Sequence, residues 1–393
     1  MKTNDILRNQ VKMMPWLERE LNNPEETQNE YIKQIMINYH KKKDNAIKLE
    51  TMYIYLTFRC NLSCIYCWAN HEQFTGVNTI SCDLAKKAIT EAIPLGINRV
   101  KLTGGEPLLF NGISDLVEFI QNNNLFLEIE TNGTIENFEL LERLKNKERV
   151  LLKVSLDSMN LEISEQLSGV PGSFERTIRF LNKLKETNIP FSVVTVANAY
   201  NREGLENIIA FTSHLGAISH RTILNVQPIG KGELVQNLSL SLQDVLRVLR
   251  NLWSLKLGTT LEFGSSHTTL PPAFMPIKHI NFNSFCSWGT GLCGLMPNGE
   301  ISICAPAFKS LSITAGNINH SSLSDIWNHS QLFGDIRRIE KIKGVCGKCI
   351  FLPVCRGLCR IFAFARYGCI DAPYPFCQEM YNAGLFPLHA IKE

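Results

Sequence analysis

Between about residue 51 and residue 258 the chain repeats one rhythm, a short apolar run followed by a longer amphipathic segment. The spacing predicts strands over 53–58, 99–102, 126–130, 151–156, 191–196 and 221–227. It predicts helices over 81–96, 113–122, 138–145, 174–188 and 205–215, and a last helix starting at Ser241. Ser81 is a good N-cap, Gly96 and Gly216 are stop signals, and Ser241 and Asp244 stand at capping-box spacing. Strands alternating with helices give a parallel sheet with helices outside it, because parallel neighbours need a crossover. Six units are too few for a closed eightfold barrel. An α/β fold with an open partial barrel or a doubly wound sheet is expected.

The flanks break the rhythm. Residues 1–49 are polar with scattered apolar positions (Ile6, Leu7, Val11, Trp16, Leu17) and read as a short helical extension that packs or caps. After residue 258, Gly, Pro, Ser and Cys become frequent, which draws a boundary between a domain at 50–258 and one at 259–393. The second has little core of its own and is expected to need metal to order it. Hydrophobic residues at 45% and charged residues at 20% are ordinary for a globular chain. A formal charge of +3 without a basic block argues against nucleic acid. No signal peptide and no apolar run of about 18 residues is evident, so a cytoplasmic protein without a membrane span is expected.

Thirteen cysteines are too few for a disulfide scaffold, but they are clustered: four lie between Cys60 and Cys82, none between Asp83 and Phe285, and nine between Cys286 and Cys377. In a chain without export signals such clusters mean metal or redox chemistry. Cys60, Cys64 and Cys67 form C-x3-C-x2-C at the end of the first predicted strand. Active sites on parallel sheets lie beyond the strands' carboxyl ends. Three thiolates there can hold three irons of a 4Fe–4S cluster and leave the fourth open, as a catalytic metal site requires. Their i, i+4, i+7 spacing also suits three cysteines buried on one helix face, and zinc is a further alternative that lacks a nearby fourth ligand.

This C-x3-C-x-aromatic-C pattern, with Tyr66 as the aromatic, resembles the signature of the radical S-adenosylmethionine (radical SAM) superfamily. Gly104-Gly105-Glu106-Pro107 after the second strand is similar to its GGE motif, which binds the amino group of SAM. Thr131-Asn132-Gly133, and Ser155 with Asp157, are similar to further elements near the cofactor. Each match is weak alone, yet all four stand in order at strand ends. The resemblance covers about residues 51–258 and implies a partial (β/α)6 TIM-like barrel. Many relatives carry an arginine about eleven residues after the aspartate, which pairs with the cofactor carboxylate. Here that position is Ser168, and Arg176 is the candidate substitute.

The second cluster, Cys286-x12-Gly299-x4-Cys304 then Cys346-x2-Cys349-x5-Cys355-x3-Cys359 and Cys377, resembles the SPASM domain, a cysteine-rich, loop-rich extension with two auxiliary 4Fe–4S clusters. Carried over, its ligation gives one cluster to Cys286, Cys293, Cys304 and Cys359, and the other to Cys346, Cys349, Cys355 and Cys377. Cys82 and Cys369 are left as ordinary buried cysteines. A zinc ribbon on Cys346 and Cys349 is the bland alternative and does not explain the spacing through Cys359.

The resemblance implies three 4Fe–4S clusters, SAM, and a flavodoxin- or ferredoxin-type electron donor. It implies reductive cleavage of SAM to a 5′-deoxyadenosyl radical that abstracts hydrogen from a substrate. A peptide or protein is the favoured substrate, in cross-link formation or side-chain oxidation of the kind used in peptide natural-product maturation. Ala305 disfavours a sulfatase maturase, which tends to have an aspartate there. The roughly 50 residues ahead of the first strand are short for the leader-binding domain of many peptide maturases. A small-molecule dehydrogenase or a tetrapyrrole side-chain decarboxylase is the alternative of the same superfamily. A non-catalytic iron–sulfur electron carrier or redox sensor is the alternative of another class.

Overall fold

Apolar and polar side chains alternate along the strands, and that alternation sets which way the sheet faces. The computed structural model describes residues 24–43, 47–69, 78–224, 226–258, 262–263, 271–275, 280, 286–307 and 313–392. Helix α1 (Pro24–Lys43) precedes the sheet. Strands β1 (Thr51–Thr57), β2 (Arg99–Gly104), β3 (Phe126–Thr131), β4 (Val150–Ser155), β5 (Phe191–Val196) and β6 (Ser219–Ile223) lie side by side in that order, all parallel. The connections carry α2 (Cys82–Ala92), α3 (Ile113–Asn122), α4 (Phe138–Leu144), α5 (Leu161–Ser168), α6 (Ser173–Glu186) and α7 (Leu205–Leu215), and α8 (Leu242–Gly258) follows β6.

One face of each strand supplies the core. Met52, Ile54 and Leu56, Val100 and Leu102, Leu127 and Ile129, and Leu152 and Val154 pack with the buried stripes of the helices. Helix α3 shows the logic: Ile113, Leu116, Val117 and Ile120 are its buried residues, at i, i+3, i+4, i+7. Each such burial stabilises by about 1.5–3 kcal/mol relative to exposure. Ser81 caps α2 by accepting from Leu84 N at 3.1 Å, and Ser241 Oγ accepts from Asp244 N at 3.1 Å at the start of α8.

The other face is polar. Alternation turns Tyr53, Tyr55, Lys101, Thr103, Glu128, Glu130, Lys153, Ser155 and Arg221 inward. A closed TIM barrel fills this space with apolar side chains. Here most of these residues line an internal cavity of about 400 Å³ instead.

The sheet runs past the expected boundary at residue 258. β7 (Glu262–Phe263) joins β6, and β8 (Leu292–Leu295) pairs in parallel with the free edge of β1. β9 (Glu300–Ser302) and β10 (Gly316–Asn317) continue antiparallel from β8. The strand order therefore ends on β10 and β7 and does not close. The rest of the C-terminal segment carries short helices: α9 (Leu323–His329), α10 (Gln331–Arg337), α11 (Gly344–Gly347), α12 (Leu352–Cys355), α13 (Arg360–Tyr367) and α14 (Pro375–Asn382).

Helix α1 clasps this C-terminal segment rather than the barrel. Its Tyr31 meets Phe351 edge-on at 5.0 Å and stacks on His389 at 5.1 Å, and Gln28 Nε2 donates to Ile391 O at 2.7 Å. The short helices expected across residues 1–23 lie outside the described residues. No described helix is long and apolar enough to cross a membrane.

Candidate active site

Cys60, Cys64 and Cys67 sit on the loop that leaves the carboxyl end of β1, and all three line the cavity. Backbone bonds hold this loop from three sides. Gly105 N and Glu106 N donate to Thr57 O and Arg59 O at 2.6 and 2.8 Å. Ser63 N and Ile65 N donate to Ser168 O and Leu167 O, both at 3.0 Å. Lys231 N donates to Cys67 O at 3.0 Å, and Lys231 Nζ reaches Ser63 Oγ at 2.8 Å. The loop's own turn is closed by Cys67 N donating to Cys64 O at 3.2 Å. It is not a helix face, so the reading of three cysteines on one buried helix is set aside.

Gly104 and Gly105 let β2 come this close. A Cβ on Gly105 would stand 2.2 Å from Arg59 O, and one on Gly104 2.2 Å from Thr57 O. Glu106 is 0% exposed and does not line the cavity. Its Oε1 accepts from Thr131 Oγ1 at 2.7 Å and Leu108 N at 3.1 Å, and its Oε2 from Asn132 N at 2.8 Å. Burial raises its pKa to about 7 against these donors. The glutamate expected to meet a ligand ammonium is instead a tie between the β2 and β3 ends, and backbone at Gly104 and Gly105 forms the cavity wall. Asn132 does face the cavity, and its Nδ2 donates to Cys60 Sγ at 3.7 Å and Asn61 Oδ1 at 3.0 Å.

Ser155, the last residue of β4, and Asp157 just beyond it line the same cavity. Asp157 Oδ1 accepts from Val196 N at 2.7 Å, and its Oδ2 accepts from the Tyr66 hydroxyl, which fixes the cysteine loop to β5. Burial raises the Asp157 pKa to about 6. Ser168 lines the cavity too, its Oγ 2.7 Å from Ser173 Oγ. Arg176 does not: its Nη2 donates to Pro171 O at 3.4 Å, outside the cavity wall. The cation expected to replace the missing arginine is thus not brought to the site. A row of hydroxyls (Ser164, Ser168, Ser173, Thr177) stands there instead.

Cys286, Cys304 and Cys359 line this same cavity. Cys293 does not join them. It lies on β8 opposite Met52, on the helix-facing side of the sheet, and is 0% exposed in the apolar core. The remaining four, Cys346, Cys349, Cys355 and Cys377, surround one small void of about 10 Å³. A tight left-handed turn separates the two groups: Arg356, Gly357 and Leu358 have φ of 54°, 72° and 49°. Leucine rarely adopts this conformation, so the turn stores strain where it sends Cys355 and Cys359 to different sites. Cys82 and Cys369 are half-buried rather than buried.

The radical SAM superfamily matches residues 54–212, and an iron–sulfur cluster-binding (SPASM) domain matches residues 286–350. The chain belongs to the radical SAM superfamily and carries a C-terminal SPASM domain. It is 28% identical over 338 residues to an AdoMet-dependent heme synthase of Methanosarcina barkeri, covering 82% of this chain and 94% of that one. It is 25% identical over 340 residues to the mycofactocin maturase MftC of Mycolicibacterium smegmatis, covering 86% and 84%. Its fold matches Streptococcus suis SuiB bound to S-adenosylmethionine with a TM-score of 0.71 at 19% identity, covering 88% and 81%. The same protein bound to its precursor peptide SuiA matches at 0.70 and 18%, covering 88% and 79%.

The donor chemistry fits the iron–sulfur clusters and SAM that a radical SAM enzyme with this domain requires. Burial, with smaller contributions from neighbouring cysteines, raises the Cys60 thiol to about 11 and the Cys286 and Cys355 thiols to about 12. Only a strongly positive partner such as iron makes thiolates at such positions favourable. Among the described residues no three His, Cys, Asp or Glu side chains are drawn together as ligands of a single metal ion. Three thiols on the loop after β1 and four around one void supply the thiolate numbers that 4Fe–4S clusters use. The sequence reading missed the inward charges of β2, β3, β4 and β6. The signal was present, because Lys101, Glu128, Glu130, Lys153 and Arg221 stand at period two beside apolar neighbours.

Proposed function

We propose that this radical SAM enzyme removes hydrogen from a peptide substrate and passes the remaining electron to an auxiliary cluster, forming a cross-link or oxidising a side chain. The observation that carries the proposal is the shared cavity, lined by Cys60, Cys64 and Cys67 and also by Cys286, Cys304 and Cys359. When bound, the cluster and SAM at the first triad supply a radical that abstracts hydrogen, and the auxiliary cluster supplies an electron acceptor. The chain's own residues do the rest. Gly104, Gly105 and Asn132 shape the wall beside the cysteine loop, Tyr66 and Asp157 hold that loop in place, and the cavity-lining hydroxyls of Ser168 and Ser173 would supply donors to the cofactor's carboxylate. Tyr55, Trp68 and Trp288 give the cavity an apolar flank that excludes water. In this reading three 4Fe–4S clusters are carried, the third by Cys346, Cys349, Cys355 and Cys377, and a flavodoxin- or ferredoxin-type protein reduces them.

A peptide is supported by the likeness to MftC and by the fold shared with SuiB, a protein that binds a precursor peptide. A second reading, oxidative decarboxylation of tetrapyrrole propionate side chains with loss of carbon dioxide, is favoured by the 28% identity that spans 94% of the heme synthase. Anaerobic turnover with SAM and dithionite separates them. Short peptides encoded beside the gene should stimulate 5′-deoxyadenosine formation and lose two hydrogens by mass spectrometry. Stimulation only by a propionate-bearing porphyrin, with release of carbon dioxide, would replace the first reading by the second.

A further inference from the structure

Arg221 is a cavity-lining cation that none of the proposed cofactor contacts uses. It stands on β6 in the row of Ser155: Ser155 pairs with Val194 and Val194 with Arg221. That places it two strands, or about 10 Å, across the sheet from the serine. Its Nε is buried and has no hydrogen-bond partner. Buried guanidinium N–H groups are seldom left so, since arginine has five donors and no acceptor.

The strands beside it carry an excess of positive charge, of which Lys153 lines the cavity. Lys153 Nζ, Lys101 Nζ and Arg99 Nη1 converge on the buried Glu128 at 2.5, 2.6 and 2.9 Å, more charge than one carboxylate neutralises. Two carboxylates line the cavity: Glu130 accepts from the Tyr53 hydroxyl at 3.2 Å, and Asp157 is held by the Tyr66 hydroxyl and Val196 N. Gln227 Oε1 also faces the cavity, buried and without a partner. The lumen thus holds a small surplus of positive charge and unmade hydrogen bonds at its β6 side.

We propose that Arg221 is the docking point for a carboxylate carried by the substrate, seated in the barrel lumen beside the SAM site. The proposal rests on the radical SAM reading of this cavity. A guanidinium fork matches a carboxylate edge-on, and a carboxylate's single charge suits the small surplus better than a phosphate dianion, which would face Glu130. Anchoring one end of the substrate there fixes which C–H is presented toward the cysteine loop. The carboxylate belongs either to a peptide, as a C-terminus or acidic side chain, or to the propionate arm of a tetrapyrrole.

The test uses reconstituted holoenzyme with SAM bound, under anaerobic conditions. Two probe pairs are titrated: N-acetylglycyltyrosine against its amide, and a propionate-bearing porphyrin against its propionamide. One acid should bind about tenfold tighter than its amide, as a charge-assisted bond predicts, and the pair that shows this names the source. Arg221→Gln should abolish the preference and Arg221→Lys should retain part of it. Absence of any acid preference, or its survival in Arg221→Gln, overturns the proposal. Loss of SAM affinity in Arg221→Gln overturns it as well, since the guanidinium would then serve the cofactor. Failure of the wild-type holoenzyme to bind SAM would bring down the reading on which the proposal rests.

Discussion

Replacing Gly105 with alanine should unseat the catalytic cysteine loop without touching a cysteine. The new Cβ would lie 2.2 Å from Arg59 O, 2.6 Å from Arg59 C and 2.8 Å from Phe58 O, all backbone. Ordinary contact begins near 3.4 Å, so the segment just ahead of Cys60 must retreat by about 1 Å. Overpacking of this kind costs about 1–3 kcal/mol. The bonds from Gly105 N to Thr57 O and from Glu106 N to Arg59 O lie in the path of the shift, and losing them adds about 1 kcal/mol each. The whole penalty is about 3–5 kcal/mol, concentrated at the loop that carries Cys60, Cys64 and Cys67. The assay is iron per chain after anaerobic reconstitution, with electron paramagnetic resonance to separate the clusters. Gly105→Ala should lose about one third of the iron and all SAM cleavage. Gly291→Ala, whose Cβ would meet nothing nearer than Glu50 Oε2 at 3.6 Å, serves as control and should load as wild type. Full loading and SAM cleavage in Gly105→Ala would refute the claim that this close approach positions the site.

Other outcomes follow from the same geometry. Cys293→Ala should leave iron content unchanged, because its side chain faces the apolar core, whereas Cys359→Ala should lower it; equal losses would return Cys293 to the ligand set. Tyr66→Phe removes the hydroxyl that Asp157 accepts from and should cost about 1–2 kcal/mol in denaturant unfolding, with weaker SAM binding. An unchanged midpoint would count against the tie. His220 is 0% exposed with neither ring nitrogen partnered, and burial lowers its pKa to about 4. The unfolded chain therefore takes up the proton first as pH falls, and stability present above about 6.5 is lost toward pH 4, by about 3 kcal/mol. In His220→Leu the fall in melting temperature between pH 7 and pH 5 should shrink, and an unaltered fall would contradict the argument.

The alternating strands and helices were legible because the faces they turn toward each other are apolar and periodic. The helices at Ile113–Asn122 and Leu205–Leu215 and the strand at Phe191–Val196 begin and end where the pattern says. The sixth strand begins at Ser219, ahead of the expected start, because its first residues are polar: Ser219 pairs hydroxyl to hydroxyl with Ser192, and His220 is buried. Helix α5 at Leu161–Ser168 escaped notice since only Leu167 of its residues is buried. β8 is four residues with a glycine and draws its stability from the edge of β1, a long-range fact no local pattern carries. Motif spacing placed the first cysteine triad and the Tyr66–Asp157 pair on one cavity. It could not say that Glu106 points away from that cavity, that Arg176 stays outside it or that Cys293 faces the core, because spacing fixes position along the chain and not the direction of a side chain.

Whether the loop of Cys60, Cys64 and Cys67 works on SAM is read directly from SAM cleavage. Protein reconstituted with iron and sulfide under anaerobic conditions, reduced with dithionite and given SAM, should release 5′-deoxyadenosine and methionine in equal amounts. Cys64→Ala should abolish that release while the auxiliary iron remains. A wild-type sample whose spectrum shows a reduced cluster at this loop, yet which forms no 5′-deoxyadenosine, would contradict the account.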